Sequence, residues 1–215
     1  VLENKKFSFF YGWFFGFGYF ATNLYWISIS LTFDVNYKFL VPVSLVLIPA
    51  FLAIFYGFAT YFLFLFNSKK ILKVFFLFSL IFGTIEFSRG IILTGFPWNL
   101  IAYSFSNNLE ILQIISFIGT YAFNMICISL FMSPAIFLLR KNKKDIAISI
   151  FFLFLPIFFY MIGSLNIKKF QSLDLVKNDY VIRAIGSNIG LDRFYKNIEV
   201  SSVIDELINL SSPNL

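Results

Sequence analysis

The sequence has no histidine, a single cysteine and only 13% charged residues. The missing histidine excludes Ser-His and Cys-His catalysis and histidine metal ligation within these residues. One cysteine cannot close an internal disulfide, so no redox compartment is legible from pairing. Cys127 lies in an apolar stretch, Phe123 to Phe131, where a thiol is inert, and it is expected to be a packed helix residue. Glycine-rich phosphate loops, metal-spaced clusters, nucleotide fingerprints and internal repeats are also missing, so no cofactor and no metal are expected. Residues 1–6 lack the apolar core of a signal peptide. Because position 1 is Val1 rather than methionine, the chain is expected to begin partway through a longer protein.

The scarcity of charge sets the class. Soluble domains carry about 25% charged residues. Here 59% of residues are hydrophobic and 33 are Phe, which points to an integral membrane protein. The net charge of +6 is no nucleic-acid signal, because the basic residues sit in short clusters between apolar runs.

Five apolar runs reach the roughly 20 residues that a crossing needs. They cover 7–31, 39–66, 74–93, 109–139 and 146–165. The second and fourth exceed a simple crossing and are expected to tilt or bend, at Pro42 and Pro49 in one and Pro134 in the other. Lys5, Lys6, Lys69, Lys70, Lys73, Arg140, Lys141, Lys143 and Lys144 all fall on one side of a five-span arrangement. The positive-inside rule puts that side in the cytoplasm, with the Gly95–Tyr103 loop and everything after about residue 166 outside. In the first run Gly12, Gly16 and Gly18 allow close helix approach, while Trp13, Tyr19, Tyr25 and Trp26 favour an interface. Asn23 is polar enough to need a partner and is a weak site candidate.

Residues 166–215 are richer in charge and read as soluble. Tyr180 to Ser187 is rich in branched residues and reads as a strand, Asn188 to Gly190 as a turn, and about 195–210 as an amphipathic helix. That is the opening of an α/β domain rather than a whole one. The expected division is a transmembrane domain at 1–165, a linker at 166–179 and an incomplete extracytoplasmic domain at 180–215.

The most informative stretch runs from Glu86 to Trp98 and on to Tyr103. Glu86 and Arg89 are one helical turn apart inside an apolar run and can pair. Thr94-Gly95-Phe96-Pro97-Trp98 must then end the helix, because Pro97 has no N–H and disfavours a helical Phe96. Two readings stay open. The pair docks the following loop onto the bundle, or Arg89, held by Glu86, addresses a phosphate or carboxylate at the outer leaflet. In the second reading Gly95, Phe96, Pro97, Trp98 and Tyr103 form an aromatic rim at headgroup depth.

The run Glu86-Phe-Ser-Arg-Gly-Ile-Ile-Leu-Thr-Gly-Phe-Pro-Trp98, with Ala102-Tyr103-Ser104, resembles the E-x-x-R-G-x-x-x-T-G-F-P-W…G-Y-S signature of bacterial apolipoprotein N-acyltransferases. Gly12-Trp-Phe-Phe-Gly-Phe-Gly18 with Trp26 is similar to that family's early G-x-x-x-G-x-G…W segment. Ile115 to Phe123, with Gly119 and Tyr121, resembles its next helix start. Ile185-Gly-Ser-Asn-Ile189 is similar to the strand end that opens its nitrilase-like domain. Departures are Ala102 for the glycine before the tyrosine, Gly186 for a glutamine, Gly190-Leu191 for Pro-Gln, and Arg193-Phe-Tyr195 where a Lys-Trp pair is usual.

The resemblance implies a membrane α-helical bundle followed by the first strand and helix of an αββα nitrilase-like domain. It implies transfer of an acyl chain from a phospholipid donor, through a cysteine thioester, to the N-terminal diacylglyceryl-cysteine of an apolipoprotein acceptor in a bacterial inner membrane. The family's Glu-Lys-Cys triad is expected beyond Leu215, so no residue here is assigned a catalytic role and the chain alone is expected to be inactive. Glu86, Arg89, Gly95, Phe96, Pro97, Trp98 and Tyr103 are the lipid-rim candidates. The alternatives are a non-enzymatic membrane binding or transport protein and an inactive relic of a split gene.

Overall fold

The computed structural model describes residues 4–66, 68–92, 95–173, 184–186 and 200–211. It divides into two compact units, Val1–Ser172 and Leu173–Leu215. The first unit is helical. Helix α1 (Lys5–Leu24) leads through two 3-10 helices, Tyr25–Thr32 and Val35–Leu40, into α2 (Val41–Leu65) and α3 (Ile71–Ile91). A 3-10 helix (Ile101–Phe105) and two short helices, α4 (Leu109–Leu112) and α5 (Ile115–Ile118), precede the long α6 (Thr120–Leu139) and α7 (Lys143–Gln171). In the second unit the described element is α8 (Val200–Ser211), whose Ile204 and Leu207 are exposed.

Among the described residues, four helices are long and apolar enough to cross a membrane: Val35–Leu65, Ile71–Ile91, Thr120–Leu139 and Lys143–Gln171. That is one fewer than the five runs in the sequence. The first run yields a 20-residue helix only to Leu24. Its glycines, Tyr11, Tyr19, Thr22 and Asn23 dilute its apolarity, and its last part winds into the tighter 3-10 form. The fourth run is not one bent helix either. Gly119 takes φ 79° and separates α5 from α6, a left-handed conformation that costs glycine little. Pro134 and Pro156 are carried inside α6 and α7, whereas Pro42 sits in the first turn of α2, where its missing N–H has no helical partner to lose. The strand expected over Tyr180–Ser187 lies outside the described residues except at 184–186, which carry no regular structure.

Neighbouring helices pack in a chain: α1 on α2, α2 on α3, α3 on α6, α6 on α7, and α4 on α7. The α1–α2 seam explains the glycines of the first run. A Cβ on Gly12 would lie 2.3 Å from the Tyr56 carbonyl oxygen, and one on Gly16 2.9 Å from the Tyr56 Cβ. Beside them, the Ser8 hydroxyl donates to the Thr60 carbonyl and the Thr60 hydroxyl to the Ser8 carbonyl, both at 2.8 Å. Small residues and paired hydroxyls hold helices together where the apolar surroundings give no hydrophobic drive. Phe20, Leu24, Leu52, Tyr56, Phe82 and Ile128 form one buried cluster. Leu100, Ile111, Ile114, Phe123, Cys127 and Phe159 form a second. Cys127 is thus a packing residue, as its apolar setting suggested. Large apolar side chains such as Phe14, Phe62, Leu138 and Phe154 point outward, as a chain solvated by lipid requires.

Candidate functional site

The last two turns of α3 carry Glu86 and Arg89 inward, at 0% and 1% exposure. Their spacing of three puts them on one face, and Nη2 of Arg89 donates to Oε2 of Glu86 at 2.6 Å. The Nη1 of the same guanidinium donates to the carbonyl oxygens of Phe96 (2.6 Å) and Trp98 (2.9 Å). Its carbon lies 5.3 Å from the Phe20 ring centroid and 6.0 Å from that of Phe96. Arg89 therefore ties the end of α3, the loop that follows it and α1 into one node. A buried charge is tolerated only with such a set of partners.

The loop folds this way because its residues permit little else. The Phe96 N–H returns to the Arg89 carbonyl (2.9 Å), and the Gly95 N–H to that of Ile92 (3.0 Å). Gly95 has φ 80°, and a Cβ there would sit 2.3 Å from the Gly90 carbonyl oxygen. Pro97 prevents the helix from resuming. Asn99 takes φ 59°, which asparagine tolerates better than most residues, and its carbonyl accepts from the Tyr19 hydroxyl at 2.9 Å. Farther on, the buried Asn124 of α6 accepts the Ala102 N–H on its Oδ1 (2.9 Å). Both flanks of the loop are thus pinned by side chains from other helices.

The outward surface of this segment differs. Trp98 is half exposed and stacks on Trp26, with centroids 5.2 Å apart and planes 20° apart. Tyr103 is also exposed. A cavity of about 370 Å³ opens between α1 and the loop, lined by Tyr19, Asn23, Asn99, Ile101, Tyr103 and Ser104 among others. Hydroxyl and amide groups share its lining with Leu100 and Ile101, and the lining residues include no charged side chain.

The structure brings all the expected rim residues to the C-terminal end of α3 and separates them into two sets. Glu86 and Arg89 lie inside, and Phe96 is partly covered. Pro97, Trp98 and Tyr103 face out. Asn23 joins the cavity, its amide donating to the Tyr19 carbonyl (2.7 Å). Two contributors were not singled out in the sequence. Tyr56 of α2 packs in the buried cluster beside Phe20, and Asn124 holds Ala102. Tyr19, read from the sequence as an interface residue, holds Asn99. A polar residue inside an apolar run was a usable signal for Asn124. Tyrosines are too common here to have stood out. Among the described residues no group of three potential metal ligands occurs, and Cys127 is buried away from any base.

Residues 1–133 match the family model described as the apolipoprotein N-acyltransferase N-terminal domain. The chain belongs to the apolipoprotein N-acyltransferase family. A protein named apolipoprotein N-acyltransferase from Brucella melitensis is 29% identical over 204 residues, 93% of this chain and 37% of that protein. A namesake from Rhodopseudomonas palustris is 37% identical over 129 residues, 58% of this chain and 23% of its own length. Another from Rhizobium etli is 35% identical over 134 residues, 62% of this chain and 25% of its own. The chain thus spans little more than a third of these relatives at most. No solved structure matches it. The match covers the α3 node and rim, and the four crossing-length helices make the chain a multi-pass membrane protein.

Proposed function

We propose that this chain is the membrane part of an apolipoprotein N-acyltransferase, set in a bacterial inner membrane with the loop after α3 at the outer face. The donor in this reading is a phospholipid, and the acceptor is the N-terminal diacylglyceryl-cysteine of an apolipoprotein. Both substrates are lipids held at a membrane surface, so a rigid surface that orients them lowers the entropic part of the barrier. The cysteine that carries the acyl group, with its Glu and Lys, belongs to the family's nitrilase-like domain, of which residues 180–215 would be the opening part.

The observation that carries the proposal is the division of labour at the α3 node. Arg89 has both terminal nitrogens taken up by Glu86 and two loop carbonyls, so it acts as a positioning residue. It fixes the backbone from which Trp98 projects, and Asn124 holds Ala102 next to Tyr103. Aromatic side chains at headgroup depth, beside a cavity lined with hydroxyls and amides, suit a phospholipid whose glycerol and phosphate oxygens need donors. Orientation follows from charge. The basic loops at 69–73 and 140–144 adjoin the opposite end of α3, and positive charge stays inside.

Two experiments test the reading. A Ser106→Cys chain in a Cys127→Ser background is treated with a membrane-impermeant maleimide on intact spheroplasts. Labelling is expected, and labelling only after lysis would overturn the orientation. In the second, this chain replaces the matching region of the Brucella relative. The chimaera should N-acylate a diacylglyceryl lipopeptide, and a folded chimaera with no transfer would count against the assignment.

A further inference from the structure

The end of the bundle opposite Glu86 and Arg89 holds a second concave site. The connection between α2 and α3 and the one between α6 and α7 meet around a cavity of about 350 Å³. Lys69, Lys70 and Lys73 line it from one side and Lys141 from the other, with Ile71 and Leu72 supplying an apolar floor. Four cations from separate loops in one hollow repel each other unless something neutralises them. The one carboxylate lining the hollow, Asp145, offsets at most one of the four. Asp145 is 3% exposed, and its Oδ2 accepts from the backbone N–H groups of Lys141 (2.8 Å) and Asn142 (3.1 Å). It closes the first turn of α7, and among the described residues none of these lysines forms an ion pair.

We infer that this hollow binds the headgroup of an anionic phospholipid from the leaflet on that side, fastening the start of α3 to the start of α7. The charge asks for a phosphate. The floor selects a lipid over a free anion, because Ile71 and Leu72 begin an apolar helix along which an acyl chain can run. Basic pockets between crossing helices take lipid phosphates by this combination. The topological positive-inside signal requires lysines in these loops but does not require a shared cavity. The convergence of two loops on one hollow is the added observation. This inference concerns the face away from the acyl-transfer rim and stands whatever reaction the rim serves.

The test uses the full chain purified in mild detergent with equimolar phosphatidylglycerol and phosphatidylcholine, and native mass spectrometry counts retained lipid. Each lysine near such a headgroup favours it by about fivefold, so the expected preference for phosphatidylglycerol is at least about fivefold. It should fall at least about fivefold in Lys70→Gln/Lys141→Gln. It should survive in Lys168→Gln/Lys169→Gln, which removes equal charge at the far end of α7. Equal retention of the two lipids by the unmodified chain would overturn the inference. So would displacement of the bound lipid by excess inorganic phosphate, which would mark a free-anion site. Equal losses in the two variants would overturn it too, by showing a bulk charge effect. Circular dichroism establishes that the variants keep their helices. If the Lys70/Lys141 variant does not, lipid preference and phosphate resistance in the unmodified chain decide the matter.

Discussion

Replacing Arg89 by methionine keeps most of the side-chain volume and deletes the charge, which isolates what the guanidinium does. Three hydrogen bonds are lost: one to Glu86 and two to the Phe96 and Trp98 carbonyls. The larger loss is indirect, because Glu86 at 0% exposure is left as an unpaired buried carboxylate. Breaking one side of a buried ion pair costs about 3–5 kcal/mol. Arg89→Met should therefore destabilise the chain by about 4 kcal/mol in a bicelle unfolding assay such as steric trapping. The informative comparison is Glu86→Gln in two backgrounds. With Arg89 present, it leaves the buried guanidinium without its counter-charge and should cost about 3–5 kcal/mol. With Met at position 89, it removes a stranded charge and should cost nothing or stabilise. The coupling between the two sites would then be at least about 3 kcal/mol. Equal costs in both backgrounds would refute the node, as would an Arg89→Met penalty below about 1 kcal/mol.

Other consequences follow from the same geometry. Gly12→Ala should destabilise by about 2 kcal/mol through the clash with the Tyr56 carbonyl. Gly18→Ala, where nothing lies within 4 Å, should stabilise by up to about 1 kcal/mol in the same assay. Asn124→Leu leaves the buried Ala102 N–H without its acceptor and should cost about 1–3 kcal/mol. Cys127 should resist a membrane-permeant maleimide in the folded protein and react fully once SDS unfolds it; equal labelling in both states would contradict its burial.

What could be read from the sequence was what depends on neighbours along the chain. The break at Gly95–Pro97 follows from the backbone limits of two residues, and the Glu86–Arg89 pair from helical spacing. The family resemblance rested on the same stretch. The partners of that node were not legible, because they arrive from elsewhere. Phe20 comes from α1, Tyr56 from α2 and Asn124 from α6, and apolar periodicity says little in chains that are apolar on every face. Helix ends were misjudged for related reasons. The fourth run stays hydrophobic across Gly119, so its change of direction is visible only in φ. Helix α7 extends past its apolar run because Asp145 caps its start and Lys168 and Lys169 suit its end. The carbonyls that Arg89 meets were not legible either, because only the folded loop presents them.

In the proposed function, a rim held by Arg89 and Asn124 presents Trp98 and Tyr103 to a phospholipid acyl donor. Turnover of the Brucella chimaera carrying Trp98→Ala and Tyr103→Ala, measured at limiting and saturating phospholipid, tests it most directly. A loss of about tenfold is expected at limiting phospholipid, about 1.4 kcal/mol of donor binding, largely recovered at saturation. Unchanged turnover at limiting phospholipid would contradict it.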